Sequence, residues 1–233
     1  MKITRYIPDT ITSMNLLCGI IGVVFAFKGR FEIAFPMMLG AAVCDFCDGL
    51  AARALKAYSD LGKELDSLAD MVSFGVLPSV MLYNLMKACS FGESALCFIP
   101  LLLAVFSGLR LAKFNIDDRQ HESFLGLPTP AAAMLCGSLC YFAASEPTSW
   151  FAIWCGGKLF IPALTLALCA LLVCEIPMFS LKKFGDRKPL RFLVDVAVVV
   201  IFVVLMKLNW SLAVLLTFIV YILKNIIYAI FRL

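Results

Sequence analysis

The chain has 233 residues, of which 62% are hydrophobic and only 15% are Asp, Glu, Lys or Arg, and its mean hydropathy is +0.95. A soluble domain averages about 45–50% apolar and about 25% charged residues, so a water-soluble enzyme, a nucleic-acid module and a disordered chain are all excluded. The formal net charge of +4 is too small to argue for a polyanionic partner.

A membrane-spanning helix needs about 20 mostly apolar residues. Eight apolar runs separated by charge fit that requirement: 9–27, 31–52, 66–87, 94–113, 128–145, 159–180, 192–208 and 211–231. The N-terminal Met1-Lys2-Ile3-Thr4-Arg5 is basic, but the apolar stretch after it runs to Phe27 without a small-residue cleavage site. It reads as a first span and not as a signal peptide. Prolines such as Pro36, Pro100 and Pro162 fall inside these runs, where neighbouring helices can satisfy the freed backbone groups.

Basic residues orient the chain. With the N-terminus in the cytoplasm, fifteen of the 20 Lys and Arg lie on the cytoplasmic side, and only Lys28, Arg30, Lys87, Lys158 and Lys207 lie outside. This asymmetry satisfies the positive-inside rule. The expected fold is an all-α, polytopic membrane helix bundle of about eight transmembrane helices with both termini cytoplasmic. It forms one domain over 1–233, with a core over about 1–182 and two additional spans in 183–233.

The ten cysteines do not read as a disulfide or zinc framework, since most lie in apolar runs where free cysteine behaves as a small hydrophobe. Cys44-x-x-Cys47 has a redox spacing, but it sits within a span and its second cysteine adjoins Asp48.

Most of the 16 acids are ordinary loop residues, Asp60 and Glu64 among them. Four are not. Asp45 and Asp48 are i,i+3 and Asp66 and Asp70 are i,i+4, so each pair shares one helix face. The topology puts both pairs near the cytoplasmic ends of consecutive antiparallel helices, where they can face one cavity. A carboxylate within a span costs roughly 2.5–3.5 kcal/mol near the helix centre. Two carboxylates at about 4 Å repel by about 4 kcal/mol at an effective dielectric of about 20. Hard divalent cations with oxygen ligands remove this conflict, and two of them balance four carboxylates in charge.

These residues carry a resemblance. The pattern D-x-x-D-G-x-x-A-R-x8-G-x3-D-x3-D resembles the signature of the CDP-alcohol phosphatidyltransferases, and Asp45, Asp48, Gly49, Ala52, Arg53, Gly62, Asp66 and Asp70 match each fixed position. The resemblance implies that Asp45, Asp48, Asp66 and Asp70 hold two divalent cations, Mg²⁺ or Mn²⁺. It implies a cytidine diphosphate site made by Thr12, Asp48, Gly49, Ala52, Arg53 and Gly62, with Asp70 as general base. The residue types suit those roles. Glycine lets backbone approach a nucleotide, Arg53 offers a fork for phosphate oxygens, and paired metals clamp a diphosphate. The only histidine, His121, reads as a loop residue. The cluster offers no activated covalent nucleophile, so direct displacement of CMP by the acceptor is the expected route.

The acceptor is suggested by other segments. Ile7-Pro8-Asp9-Thr10-Ile11-Thr12-Ser13-Met14-Asn15, Ser73-Phe74-Gly75-Val76-Leu77-Pro78 and Gly108-Leu109-Arg110-Leu111-Ala112-Lys113 resemble the integral-membrane phosphatidylserine synthases of that family. So do Gly126-Leu127-Pro128-Thr129-Pro130 and Ile176-Pro177-Met178-Phe179-Ser180. Asp9 is a departure, since that group usually has Asn there. The resemblance implies transfer of a phosphatidyl group from CDP-diacylglycerol to L-serine on the cytoplasmic side of the cell membrane, in a homodimer. Arg110 and Lys113, i,i+3 at the depth of Asp66 and Asp70, are the candidates for binding serine. Two other readings stand beside this one. The same chemistry could use glycerol 3-phosphate or an inositol compound, or the acids could serve an ion or proton transporter. A transporter should scatter its polar groups along a path across the bilayer, and here they cluster at one end.

Overall fold

The computed structural model describes residues 6–88, 95–116, 124–155, 157, 159–175, 177–178 and 210–231. The described residues are helical almost throughout. Helix α1 (Tyr6–Phe27) turns at Gly29, which adopts a left-handed φ of 70°, into α2 (Phe31–Leu55). The two helices pack along their lengths. A third long helix, Asp60–Met86, is built from α3 (Asp60–Asp70), a π-turn (Met71–Val76) and α4 (Leu77–Met86). Next come a 3₁₀ turn (Ala95–Leu101) and α5 (Leu102–Ile116). Beyond them lie α6 (Thr129–Ser145), the short α7 (Trp150–Cys155), α8 (Phe160–Val173) and α9 (Trp210–Phe231).

Four of these segments are long and apolar enough to cross a membrane: Tyr6–Phe27, Phe31–Leu55, Asp60–Met86 and Ala95–Ile116. Shorter apolar helices cover Thr129–Ser145, Phe160–Val173 and Trp210–Ile226. This is the helix set of an integral membrane protein. The expected run 192–208 lies outside the described residues. The expected run 159–180 needs correction, because its helix stops at Val173 and Cys174 turns extended with ψ 154°. Pro177 explains the stop, since it has no N–H and disfavours helix in the residue before it. Pro177–Met178 (β2) instead pairs antiparallel with Phe124–Leu125 (β1), two residues a side, the exception to helix among the described elements. Gly126, at φ 77°, completes this join, and Leu127 N–H donates to Leu171 O at 2.8 Å. A Cβ at Gly126 would lie 2.8 Å from the carbonyl oxygens of Leu172 and Cys174, so only glycine fits.

Helix α6 is the central pillar. It touches α2, α4 and α9 and is buried along most of its length. Small residues allow this close approach, as in other membrane bundles. At Gly137 a Cβ would fall 2.6 Å from the Phe35 ring. Phe35, fully buried, stacks on Trp210 at 5.5 Å between centroids and tilts against Tyr141 at 5.9 Å. All the cysteines among the described residues that have a stated environment are free thiols, and Cys136, Cys140 and Cys169 sit in the core as expected.

Candidate active site

The site forms where α2 ends and α3 begins. Lys56 closes α2 in a left-handed conformation, φ 50°, and donates its backbone N–H to Ala52 O and Arg53 O. Three residues later Ser59 opens α3 as an extended N-cap, its Oγ accepting from Gly62 N–H at 2.9 Å. The connection is therefore short and fixed at both ends. Asp45 and Asp48 come down α2 to meet Asp66 and Asp70 on α3.

One carboxylate oxygen from each of Asp45, Asp48 and Asp66 can be chosen so that all three lie within 4.8 Å of one another. Asp48 is buried and Asp45 and Asp66 are half-buried. Asp66 Oδ1 is enclosed with no hydrogen-bond partner. A buried acceptor left unpaired is costly, and three converging carboxylates compound the cost by mutual repulsion. Such an all-oxygen, acidic donor set fits a hard divalent cation such as Mg²⁺ or Mn²⁺. Asp70, one turn beyond Asp66, is within electrostatic range of Asp45, Asp48 and Asp66. Asp60 and Glu64 are exposed, as expected of solvated residues.

Helix α1 reaches the same place from the other side. Thr12 Oγ donates to Asp48 Oδ2 at 2.6 Å, and Asn15 Nδ2 donates to Asp70 Oδ1 at 3.2 Å. Of the residues expected around cytidine diphosphate, Gly49 is the open one. A Cβ placed on it would meet only Arg53 Nη2, at 3.8 Å, which leaves room for backbone approach beside an exposed guanidinium. Ala52, half-buried, lies one turn on along the same helix. Gly62 has a packing reason as well, since a Cβ there would come 2.8 Å from Asp9 Oδ1 and 2.9 Å from Ser59 Oγ. Asp9 thus sits against the α3 N-terminus, where a negative charge is favoured.

Arg110 and Lys113 part company. Arg110 is only 8% exposed; it lies over the Phe114 ring and within electrostatic range of Asp70 and Tyr221. Its Nη1 donates to Thr129 Oγ1 over a long 3.4 Å, and its Nε is buried without a partner. Lys113 instead pairs with Glu175 at 3.1 Å in an exposed salt bridge. The end of α5 is also tied to α3, because Asn115 Nδ2 donates to Ser67 Oγ at 2.9 Å and Lys63 Nζ donates to Asn115 O at 3.3 Å.

Asn15, Ser73 and Thr129 at the site's edge did not stand out as individual residues in the sequence. Their signal was present. Each is a polar side chain in an apolar run, and Thr12 with Asn15 and Asp70 with Ser73 repeat the i,i+3 spacing of one helix face.

Comparison with known proteins converges on the same motif region. The CDP-alcohol phosphatidyltransferase family description matches residues 5–174. A Bacillus subtilis protein named CDP-diacylglycerol–serine O-phosphatidyltransferase is 39% identical over 130 residues, which is 56% of this chain and 72% of the relative. A Methanocaldococcus jannaschii protein of the same name is 33% identical over 189 residues, 75% of this chain and 87% of the relative. One from Mycobacterium leprae is 33% identical over 188 residues and covers 75% of this chain, which spans only 58% of that longer relative. With Asp45, Asp48 and Asp66 gathered at one place and the family description covering most of its length, the chain belongs to the CDP-alcohol phosphatidyltransferases, a family of enzymes.

Proposed function

We propose that the protein transfers the phosphatidyl group of CDP-diacylglycerol to the hydroxyl of L-serine, releasing CMP. The observation that carries this reading is the convergence of Asp45, Asp48, Asp66 and Asp70 beneath α1, in a chain whose relatives bear that name. These four residues would hold two divalent cations, Mg²⁺ or Mn²⁺, which when bound neutralise the diphosphate and the charge growing on CMP.

The chain's own side chains do the rest. Arg53, exposed beside the open face of Gly49, grips phosphate oxygens at the hairpin, while Thr12, Ala52 and Gly62 line the nucleotide side. Asp70 takes the proton of the serine hydroxyl as its oxygen bonds to the phosphatidyl phosphorus and the bond from phosphorus to the CMP oxygen breaks. Arg110 meets the serine carboxylate. Its buried guanidinium, with Nε unpaired, matches a carboxylate bidentately as an ammonium cannot. Lys113 supports this end of the pocket through its pairing with Glu175.

In this reading the whole chain, 1–233, is one domain with its core in about 1–182. It lies in the cytoplasmic membrane as a homodimer with the acids on the cytoplasmic side. That arrangement suits a lipid donor from the inner leaflet and a water-soluble acceptor from the cytoplasm. The test is purified full-length protein given CDP-diacylglycerol, Mg²⁺ or Mn²⁺, and serine, glycerol 3-phosphate or inositol in parallel, with CMP release followed. Release that depends on serine is expected. Release driven by another acceptor would keep the chemistry and replace the substrate.

A further inference from the structure

Asn15 is fully buried in α1 and is held at both ends. Its Nδ2 donates to Asp70 Oδ1 at 3.2 Å, while Ser73 Oγ lies 2.8 Å from its Oδ1 and 3.1 Å from its backbone oxygen. Ser73 is fully buried as well. It reaches Asn15 because Gly19, one turn along α1, presents no side chain; a Cβ there would fall 2.3 Å from Ser73 Oγ. The π-turn that starts at Met71 carries Ser73 to this position directly after Asp70.

The chemistry of this chain of groups is directional. A hydroxyl donating to Oδ1 leaves Nδ2 as the end that faces Asp70. The reversed amide would set its oxygen against a carboxylate, acceptor against acceptor, in a buried site. One oxygen of Asp70 is thereby anchored, so the carboxylate cannot turn freely. Its remaining lone pairs keep a fixed aim. Thr12, three residues earlier on the same face of α1, anchors Asp48 in a similar way.

We propose that Asn15, oriented by Ser73, is a positioning residue that holds Asp70 in the geometry needed to accept the proton of the attacking hydroxyl. The proposal rests on the reading of Asp70 as the base. Groups that orient a site's acids from behind typically cost about 10- to 100-fold when lost.

The experiment uses the full chain in detergent or vesicles, with Asn15→Leu, Ser73→Ala, the double variant and Asp70→Asn assayed for CMP release. Asn15→Leu should lower kcat about 10- to 100-fold while the KM values for CDP-diacylglycerol and serine stay unchanged. Ser73→Ala should lower kcat less, and the double variant should be no worse than Asn15→Leu alone, because Ser73 acts only through Asn15. Mn²⁺ binding followed by electron paramagnetic resonance should keep its stoichiometry in Asn15→Leu. Wild-type kcat in Asn15→Leu, losses that add in the double variant, or an effect confined to KM would overturn the proposal. So would loss of a Mn²⁺ site, which would make Asn15 part of the cation site. Should Asn15→Leu fail to fold, the comparison passes to Ser73→Ala, where wild-type kcat overturns the proposal. Full activity in Asp70→Asn would remove the base reading itself. An inactive Asp70→Asn beside an active Asn15→Leu would remove only the positioning role.

Discussion

Helices α3 and α6 treat polar atoms in opposite ways. Helix α6 is buried from Thr129 to Ala143 at nearly every position; beyond Thr129 at its start, which accepts from Arg110, Ser138 Oγ is spent internally, donating to Met134 O at 2.6 Å. In α3 only Ala69 is buried; Asp66 and Asp70 are half-buried, Asp66 converging with Asp45 and Asp48 of α2 and Asp70 bonded by Asn15 of α1. Past Thr129 the buried helix carries none of the candidate site residues, and the shallow one carries half of the candidate acids. The difference separates what holds the bundle together from what the bundle presents.

Substitutions can break that division. The largest effect is expected on the α3 side. Asp66→Asn and Asp70→Asn should each cut CMP release by about 10²-fold or more, with thermal unfolding in detergent unchanged or raised as repulsion among the acids falls. Near-wild-type turnover at saturating Mg²⁺ or Mn²⁺ in either variant would sink the two-metal assignment. On the α6 side the sign reverses. Phe35→Ala empties the space against Gly137, Tyr141 and Trp210 and should cost about 3–5 kcal/mol, read as a lowered unfolding midpoint. The kcat of the fraction that stays folded should hold. If turnover fell with no loss of stability, the pillar and the site would not be separate.

Two smaller effects sharpen the boundary. Arg110→Lys keeps the charge and loses the fork, so the KM for serine should rise several-fold, about 1 kcal/mol of binding, with that for CDP-diacylglycerol little changed. Lys113→Ala should raise it less, since its ammonium is already engaged by Glu175 and an exposed pair contributes about 0–1 kcal/mol. Equal losses for both substrates in Arg110→Lys would assign that residue to the nucleotide. Ser59→Ala removes the α3 cap and should cost about 1 kcal/mol. A calorimetric or detergent unfolding scan would detect that loss, and an unaltered midpoint would show that tertiary contacts alone fix the hairpin.

Much of this was legible in the sequence. Apolar run length located six of the described helices to within a few residues at most ends, because charged and polar residues bound each apolar run. The spacing of Asp45, Asp48, Asp66 and Asp70 placed them on matching faces, because helix periodicity is local. What escaped depends on partners distant in sequence. The pairing of Asn15 with Asp70 and the capture of Lys113 by Glu175 join residues 55 and 62 positions apart. The stop at Val173 is invisible to hydropathy, which stays high from Cys174 to Ser180; Pro177, with no N–H to bond Val173 O, is its only mark in the sequence. The π-turn has no compositional mark at all, as Met71–Val76 reads as any apolar helical segment.

That π-turn divides one rod into two independent registers. An α-helix advances about 100° per residue, and a π-turn accommodates one extra residue, so the faces above and below it need not agree. Upstream, the azimuth of Asp66 and Asp70 answers to α1 and α2; downstream, that of Leu77 and Met81 answers to the core. Forcing residues 71–76 into unbroken α geometry with no residue removed would rotate one half against the other by about 100°. Either the acids would swing out of their cleft or the core face of α4 would swing toward lipid. The extra residue thus acts as a gearing between catalytic and packing alignment, letting each half of the span keep its own bearing.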